Sequence, residues 1–126
     1  MIFPDNLKYT SNHEWLREED GEAVIGITEH AQKELGEIVY VDIDTEGEEL
    51  AAGDRFGTIE AVKAAEDLFM PVCGTVVAIN PVFESAPDTV NKDPYGEGWM
   101  VHIKLTNSAE LDGLISAEAY GEFVKK

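Results

Sequence analysis

The chain has 126 residues, 9 basic against 26 acidic, for a formal charge of −17; that length suffices for one domain (1–126) with its own core and no metal or disulfide support. Such a charge opposes binding to phosphate backbones and anionic membranes, which need a cationic surplus, so neither nucleic acid nor membrane is an expected partner. An apolar content of 44 % excludes a disordered acidic tail, and no apolar run approaches the ~18 residues of a membrane helix.

The first ten residues, MIFPDNLKYT, show neither a signal peptide's apolar region nor an Arg-rich transit pattern. A cytoplasmic soluble protein, or one already processed, is expected. Leu7 to Thr10 is a short strand candidate. In SNHEWLREEDGE, Trp15 and Leu16 are the apolar anchors, and Asp20-Gly21 predicts a tight hairpin with Ala23 to Thr28 as the return strand. Thr28 suits the N-cap of TEHAQKEL, and Gly36 stands where that two-turn helix must stop. The helix is too short to persist without tertiary packing.

Ile38 to Ile43 is β-branched and apolar, a strand. Turns follow at Thr45 to Glu48 and at Ala52 to Asp54. Phe56 to Val62 and Leu68 to Ile79 then read as two strands with Lys63 at the tip between them, an attachment-type hairpin over about 56–79. Its turn lacks glycine, so it must avoid positive φ. Pro71 implies an edge or bulge position, and Cys73, the lone cysteine, reads as a small core residue. Asn80 to Gly98 holds Pro81, Pro87 and Pro94 and reads as a long loop, a feature often functional. From Trp99 to Leu105 the pattern alternates, with Trp99, Val101, Ile103 and Leu105 on one face and Met100, His102 and Lys104 on the other. Ser108 and Ser116 are candidate caps for two short C-terminal helices within about 108–125, and Lys125-Lys126 suits the final helix dipole. The sum is a mainly β fold, sandwich or barrel, with short helices and a C-terminal helical cap.

Catalytic constellations are scarce. The histidines, His13, His30 and His102, are isolated in sequence and no cysteine pair exists, so a zinc site is not expected. No nucleophile elbow, P-loop or GxGxxG occurs, and the carboxylates are too numerous to single out a general acid. His13-Glu14-Trp15 is unusual, though by composition it is a strand end with one buried indole. Lys63, taken alone, is a solvated hairpin lysine. Its neighbourhood gives it another meaning: small Ala64 and Ala65 leave it accessible, and Val62 and Leu68 pin the strands below.

Glu60-Ala61-Val62-Lys63-Ala64, with Pro71 and Gly74 downstream, resembles the lipoyl-attachment hairpin. Blocks along the rest of the chain, LKYT with NHEW, GITEHAQKELGEIVYV, FGTIEAVKAAEDLFMPVCG and VNKDPYGEGWMVHIK, are similar to the H-protein family of the glycine cleavage system. The family commonly has Ser at Ala61 and at Glu66, and a Leu-Pro pair in place of Ile43-Asp44. None of these departures removes Lys63 or Glu60.

The resemblance implies a barrel-sandwich hybrid of the lipoyl-domain type. It further implies lipoic acid in amide linkage to Lys63, with Glu60 and Gly74 recognised by the lipoate-attaching enzyme. Such a carrier has no turnover of its own. Its arm accepts methylamine at a pyridoxal-phosphate glycine decarboxylase, gives up the one-carbon unit to a tetrahydrofolate-dependent aminomethyltransferase, and is reoxidised by a dihydrolipoyl dehydrogenase. Protection of the loaded arm falls, by the same resemblance, around Asn12, Glu14 and Asp67, where Glu14 can pair with the aminomethyl cation. A biotin carrier would have Met on both sides of the lysine. A lipoyl domain of a 2-oxoacid dehydrogenase would lack the HEW block and the C-terminal helices. An H-protein-like donor relaying lipoate to other complexes is not separable from the main reading by sequence, since both need Lys63.

Overall fold

The computed structural model describes residues 3–125; Met1, Ile2 and Lys126 lie outside the described residues, and with Lys126 half of the predicted dipole pair. Among the described residues nine strands form two antiparallel sheets. Strands β1 (Lys8–Tyr9), β2 (Glu14–Glu19), β3 (Glu22–Ile27), β5 (Glu49–Leu50), β8 (Gly74–Ile79) and β9 (Val101–Leu105) make a six-stranded sheet in the order β1-β2-β3-β9-β8-β5. Strands β4 (Ile38–Asp42), β6 (Arg55–Ala61) and β7 (Ala65–Phe69) make a three-stranded sheet with β6 in the centre. The fold is therefore mainly β, as its short turn-bounded apolar runs predict.

The main core lies between the sheets. Leu16, Ile25, Val76 and Ile103 face inward from the larger one, and Val41, Phe56, Ile59 and Leu68 from the smaller. Full burial of such side chains stabilises by roughly 1.5–3 kcal/mol each. A second cluster covers the opposite face of β2 and β3, where Trp15 and Val24 pack with Leu7, Tyr9 and Tyr120. Tyr120 belongs to α3 (Ala117–Val124), capped by Ser116 through the Ala119 N–H, and it stacks on Tyr9 with centroids 4.8 Å apart. The C-terminal helix thus caps the larger sheet because β2 has two apolar faces. Asp20 and Gly21 take φ of 51° and 84°, the left-handed pair a two-residue hairpin demands.

Helix α1 (Glu29–Leu35) begins at Thr28, whose hydroxyl accepts the Ala31 N–H, and ends at Gly36 with φ 84° and ψ −153°. That conformation is essentially restricted to glycine, which is why the helix stops there.

Several expectations are corrected. Leu68 to Ile79 is not one strand: β7 ends at Phe69, the chain crosses between sheets through Met70 to Cys73, and β8 begins at Gly74 in the other sheet. The hairpin is therefore 55–69 rather than 56–79, and Pro71 sits in the crossover, where no ladder needs its missing N–H. Cys73 is half-buried in that same segment, not in a core strand. The Asn80 to Gly98 stretch is not a bare loop; it holds a 3₁₀ turn, Pro81–Glu84, capped by Asn80, and the short helix α2 (Thr89–Lys92). Met100 is fully buried in the main core beside Val101, so regular alternation starts only at Val101. Asn107, not Ser108, caps the 3₁₀ turn Ser108–Gly113, accepting the Ala109 N–H. The brief strand β5 went unpredicted.

Candidate functional site

Lys63 stands at the tip of the β6–β7 hairpin. Pairing runs from Arg55↔Phe69 up to Glu60↔Ala65, and the Ala61 N–H donates to the Ala64 carbonyl at 2.7 Å to close the turn. Among the described residues only His13 and Asp20 are non-glycines with positive φ, so the tip avoids it as a turn without glycine must. Residues 62 to 67 are all exposed, and Val62 is 73 % exposed. Strands below the tip are fixed by Ile59 and Leu68 in the core, while the tip itself packs on almost nothing.

What fixes the tip comes from the end of α1. The Val62 N–H donates to the Glu37 carbonyl at 3.0 Å, and the Lys63 stem passes over Gly36, where a Cβ would lie in ordinary contact 3.4 Å from Lys63 Cε. Gly36 thus serves twice, as helix stop and as the floor under the lysine stem. Only the first role is legible in sequence.

Beside the tip opens a groove of about 670 Å³. Leu35 and Glu66 line it near the hairpin; Ala31, His30 and Glu34 of α1 form one wall; Asn12, His13 and Phe123 close the far end. The two histidines are not isolated. His13 Nδ1 lies 2.7 Å from Tyr120 Oη, which is also 2.8 Å from Thr28 Oγ1, and the His13 and His30 rings are 4.6 Å apart. Burial, with the neighbouring His30, pulls the His13 pKa below its ordinary value against the opposing pull of Glu34. Among the described residues no group of three or more His, Cys, Asp or Glu is disposed to hold a metal ion. His13 and His30 are 17 positions apart, and nothing local signals that the Thr10 turn and α1 converge.

Asn12, Glu14 and Asp67 do not share one cavity. Asn12 is exposed and lines both the groove and a neighbouring depression of about 280 Å³. Glu14 lines only that second depression and is 2 % exposed. Its Oε2 accepts the Phe69 N–H at 2.8 Å and its Oε1 accepts from the Thr10 hydroxyl at 3.4 Å. Burial pushes its pKa up to about 7, against the lowering effect of those two donors. The carboxyl therefore braces the start of β2 against the base of the hairpin. Asp67 is exposed on β7, opposite Thr58, whose hydroxyl donates to it at 3.4 Å; it lines neither depression.

Glu60 is exposed on β6 across from Tyr40 of β4 and Ala65 of β7, three residues before the lysine and available to a visitor. Gly74 is buried at the start of β8, where a Cβ would stand 2.8 Å from the Lys104 carbonyl. That glycine has a packing reason of its own. Trp15, fully buried, donates its indole N–H to the Pro94 carbonyl at 2.9 Å and ties the long connection to β2.

The arrangement offers an exposed primary amine at a hairpin tip, with a groove of about 670 Å³ beside the hairpin. Comparisons give this a family context. The model of the family described as glycine cleavage H-protein matches residues 7–126. A glycine cleavage system H protein of Bacteroides fragilis is 58 % identical over 120 residues, covering 95 % of each chain. That of Salinibacter ruber is 53 % identical over 122 residues, covering 97 % of this chain and 98 % of the relative. Among solved structures, a glycine cleavage system H protein from Mycobacterium marinum superimposes with a TM-score of 0.87 at 32 % identity, covering 98 % of this chain and 99 % of that one.

Proposed function

Because this chain belongs to the glycine cleavage H-protein family, we propose that Lys63 is its lipoyl-attachment residue and that the protein works as the shuttle of the glycine cleavage system. It is a carrier component, and the groups it serves are processed on other proteins. The proposed partners are the pyridoxal-phosphate decarboxylase, the tetrahydrofolate-dependent aminomethyltransferase, dihydrolipoyl dehydrogenase and a lipoate-attaching enzyme, met in the cytoplasm. The observation that carries the reading is the exposed Lys63, held by Val62 on Glu37 and by its stem over Gly36.

The residues present fit the group. A lysine whose neighbours 62 to 67 are exposed leaves the attaching enzyme free access, with Glu60 as a contact point and Gly74 keeping the strand after the crossover in register. When bound, lipoate supplies a disulfide that accepts the methylamine group and returns as a dithiol. The chain's own part is placement. The hairpin keeps the amine off the surface, and tethering raises the effective concentration at a docked enzyme to the mM scale. The groove running from Leu35 and Glu66 to Asn12 shelters the arm from water. Asn12 opens toward Glu14, whose carboxyl, ionising near neutrality, pairs with an ammonium brought to it. The third residue proposed for arm protection, Asp67, is exposed on the edge strand β7.

Intact mass of the protein purified from its native host tests the proposal. A lipoyl increment present in wild type and lost in Lys63→Ala is expected, and an unmodified native protein would sink it. Glycine-dependent CO₂ exchange with the decarboxylase present then distinguishes glycine cleavage from lipoyl relay.

A further inference from the structure

Asn91, in α2, is distant in sequence from the hairpin, yet its carboxamide is fully used against the segment that holds it. Nδ2 donates to the Gly36 carbonyl and to Gln32 Oε1, each at 2.8 Å. Oδ1 accepts the Ile38 N–H at 2.9 Å. Two of these partners, Gly36 and Ile38, bracket Glu37, the residue whose carbonyl accepts the Val62 N–H. Glu37 is itself exposed, so its carbonyl is aimed by the residues on either side of it rather than by its own packing. Val62 is exposed too, so its own burial does not hold it; the last pair beneath it to pack on the core is Ile38↔Ala61.

We propose that Asn91 is a positioning residue for the lysine tip: it fixes the Gly36 to Ile38 corner so that Glu37 holds Val62 and Lys63 is presented in one orientation. This rests on the reading of Lys63 as the attachment residue. The chemistry calls for an asparagine. Only a carboxamide on a short stem offers two donors and an acceptor together. Aspartate in its place would keep an acceptor for Ile38 but turn an oxygen toward the Gly36 carbonyl, and alanine would release all three partners.

A loosened tip spends part of its time in orientations that an attaching enzyme cannot grip. Apparent affinity then falls by the competent fraction, while the step on a lysine already docked is unchanged. KM for the unmodified protein should rise and kcat should not.

The test uses the full-length unmodified protein with a lipoate-activating ligase, lipoate and ATP, alongside amide hydrogen exchange. Asn91→Ala is expected to raise KM about fivefold or more with kcat within about twofold, and to speed exchange at the Val62 amide about tenfold or more while the Ile25 and Ile103 amides keep their rates. Asn91→Asp, nearly isosteric, should move both readouts the same way and decides the matter if the alanine variant does not fold. Variants matching wild type in KM and Val62 exchange would overturn the proposal. So would acceleration of all amides together, or a Val62 amide that exchanges in wild type as fast as a free one. If the wild-type protein accepts no lipoyl group, the attachment reading fails, and Val62 exchange still judges the positioning role by itself.

Discussion

The stem of Lys63 lies across Gly36, with Cε 3.4 Å from where a Cβ on that glycine would stand. Helix stop and lysine platform are one residue. Gly36→Ala meets a backbone of φ 84°, ψ −153° that strains any side chain, while its methyl would lie at ordinary contact distance from the lysine stem. It should cost about 1–3 kcal/mol, read as a lower denaturant midpoint, together with altered Lys63 side-chain NMR shifts. An unchanged midpoint would show that the corner relaxes freely.

Lys63→Ala, in contrast, removes an exposed side chain whose stem passes over Gly36. Stability should stay within about 0.5 kcal/mol of wild type, so any lost mass increment reflects the missing amine and not a misfolded chain. Thermal unfolding of the two proteins side by side checks this.

Glu14 should write itself into the pH dependence of stability. Its folded pKa is raised to about 7 from an ordinary 4.5 by burial, so between those values the native state holds more protons than the unfolded one. Stability from this group is therefore present at low pH and lost as pH rises through 7, by on the order of 3 kcal/mol in all. Glu14→Gln keeps an acceptor for Phe69 and should flatten that decline between about pH 5 and about pH 8 in urea titrations. An unchanged slope would mean that the carboxyl is not desolvated. On the loaded carrier, Glu14→Ala should speed loss of methylamine, followed by mass spectrometry; an equal decay rate would remove Glu14 from arm protection.

His13 acts with the opposite sign. Its pKa is lowered from the ordinary 6.5 by burial and by His30, so below 6.5 the unfolded chain takes up the proton first and stability falls with acidification. His13→Asn tolerates the φ of 65° and removes the imidazole. Its stability loss between about pH 7.5 and about pH 5.5 should be shallower than that of wild type, by urea unfolding at each pH.

What could be read from the chain follows the range of the forces involved. The Thr28 and Ser116 caps, the Asp20-Gly21 turn and the Gly36 stop are set within a few residues, and all four stand. The sheet exchange after Phe69 was hidden because Leu68 to Ile79 is apolar throughout, and apolar runs do not say which sheet receives them. Met100 misleads for a related reason: its neighbour Trp99 packs on the second cluster while Met100 and Val101 both enter the main core, so the apparent alternation breaks between residues 100 and 101. The His13–His30 contact, the Asn91 corner and the brace of Glu14 on Phe69 join residues 17 to 59 positions apart, where single-sequence patterns carry no information. At the site, Lys63 was visible as an accessible tip lysine; the groove beside it was not.

Trp15→Phe tests whether the long connection is held as the fold implies. The change leaves the Pro94 carbonyl without its indole donor and a void in a fully buried position, a loss of about 1–3 kcal/mol. Faster amide exchange confined to residues 93 to 98 should accompany it; uniform exchange rates would show that the connection does not depend on the indole.

The crossover from Met70 to Cys73 has a thermodynamic consequence for the shuttle. Met70 and Val72 are both almost fully buried, and between them the chain leaves the three-stranded sheet and enters the six-stranded one within four residues. The base of the lysine hairpin and the central strands are therefore one cooperative unit. The tip, held through Glu37, can open locally, but the strands beneath it have no melting transition of their own and come apart only when the whole molecule unfolds.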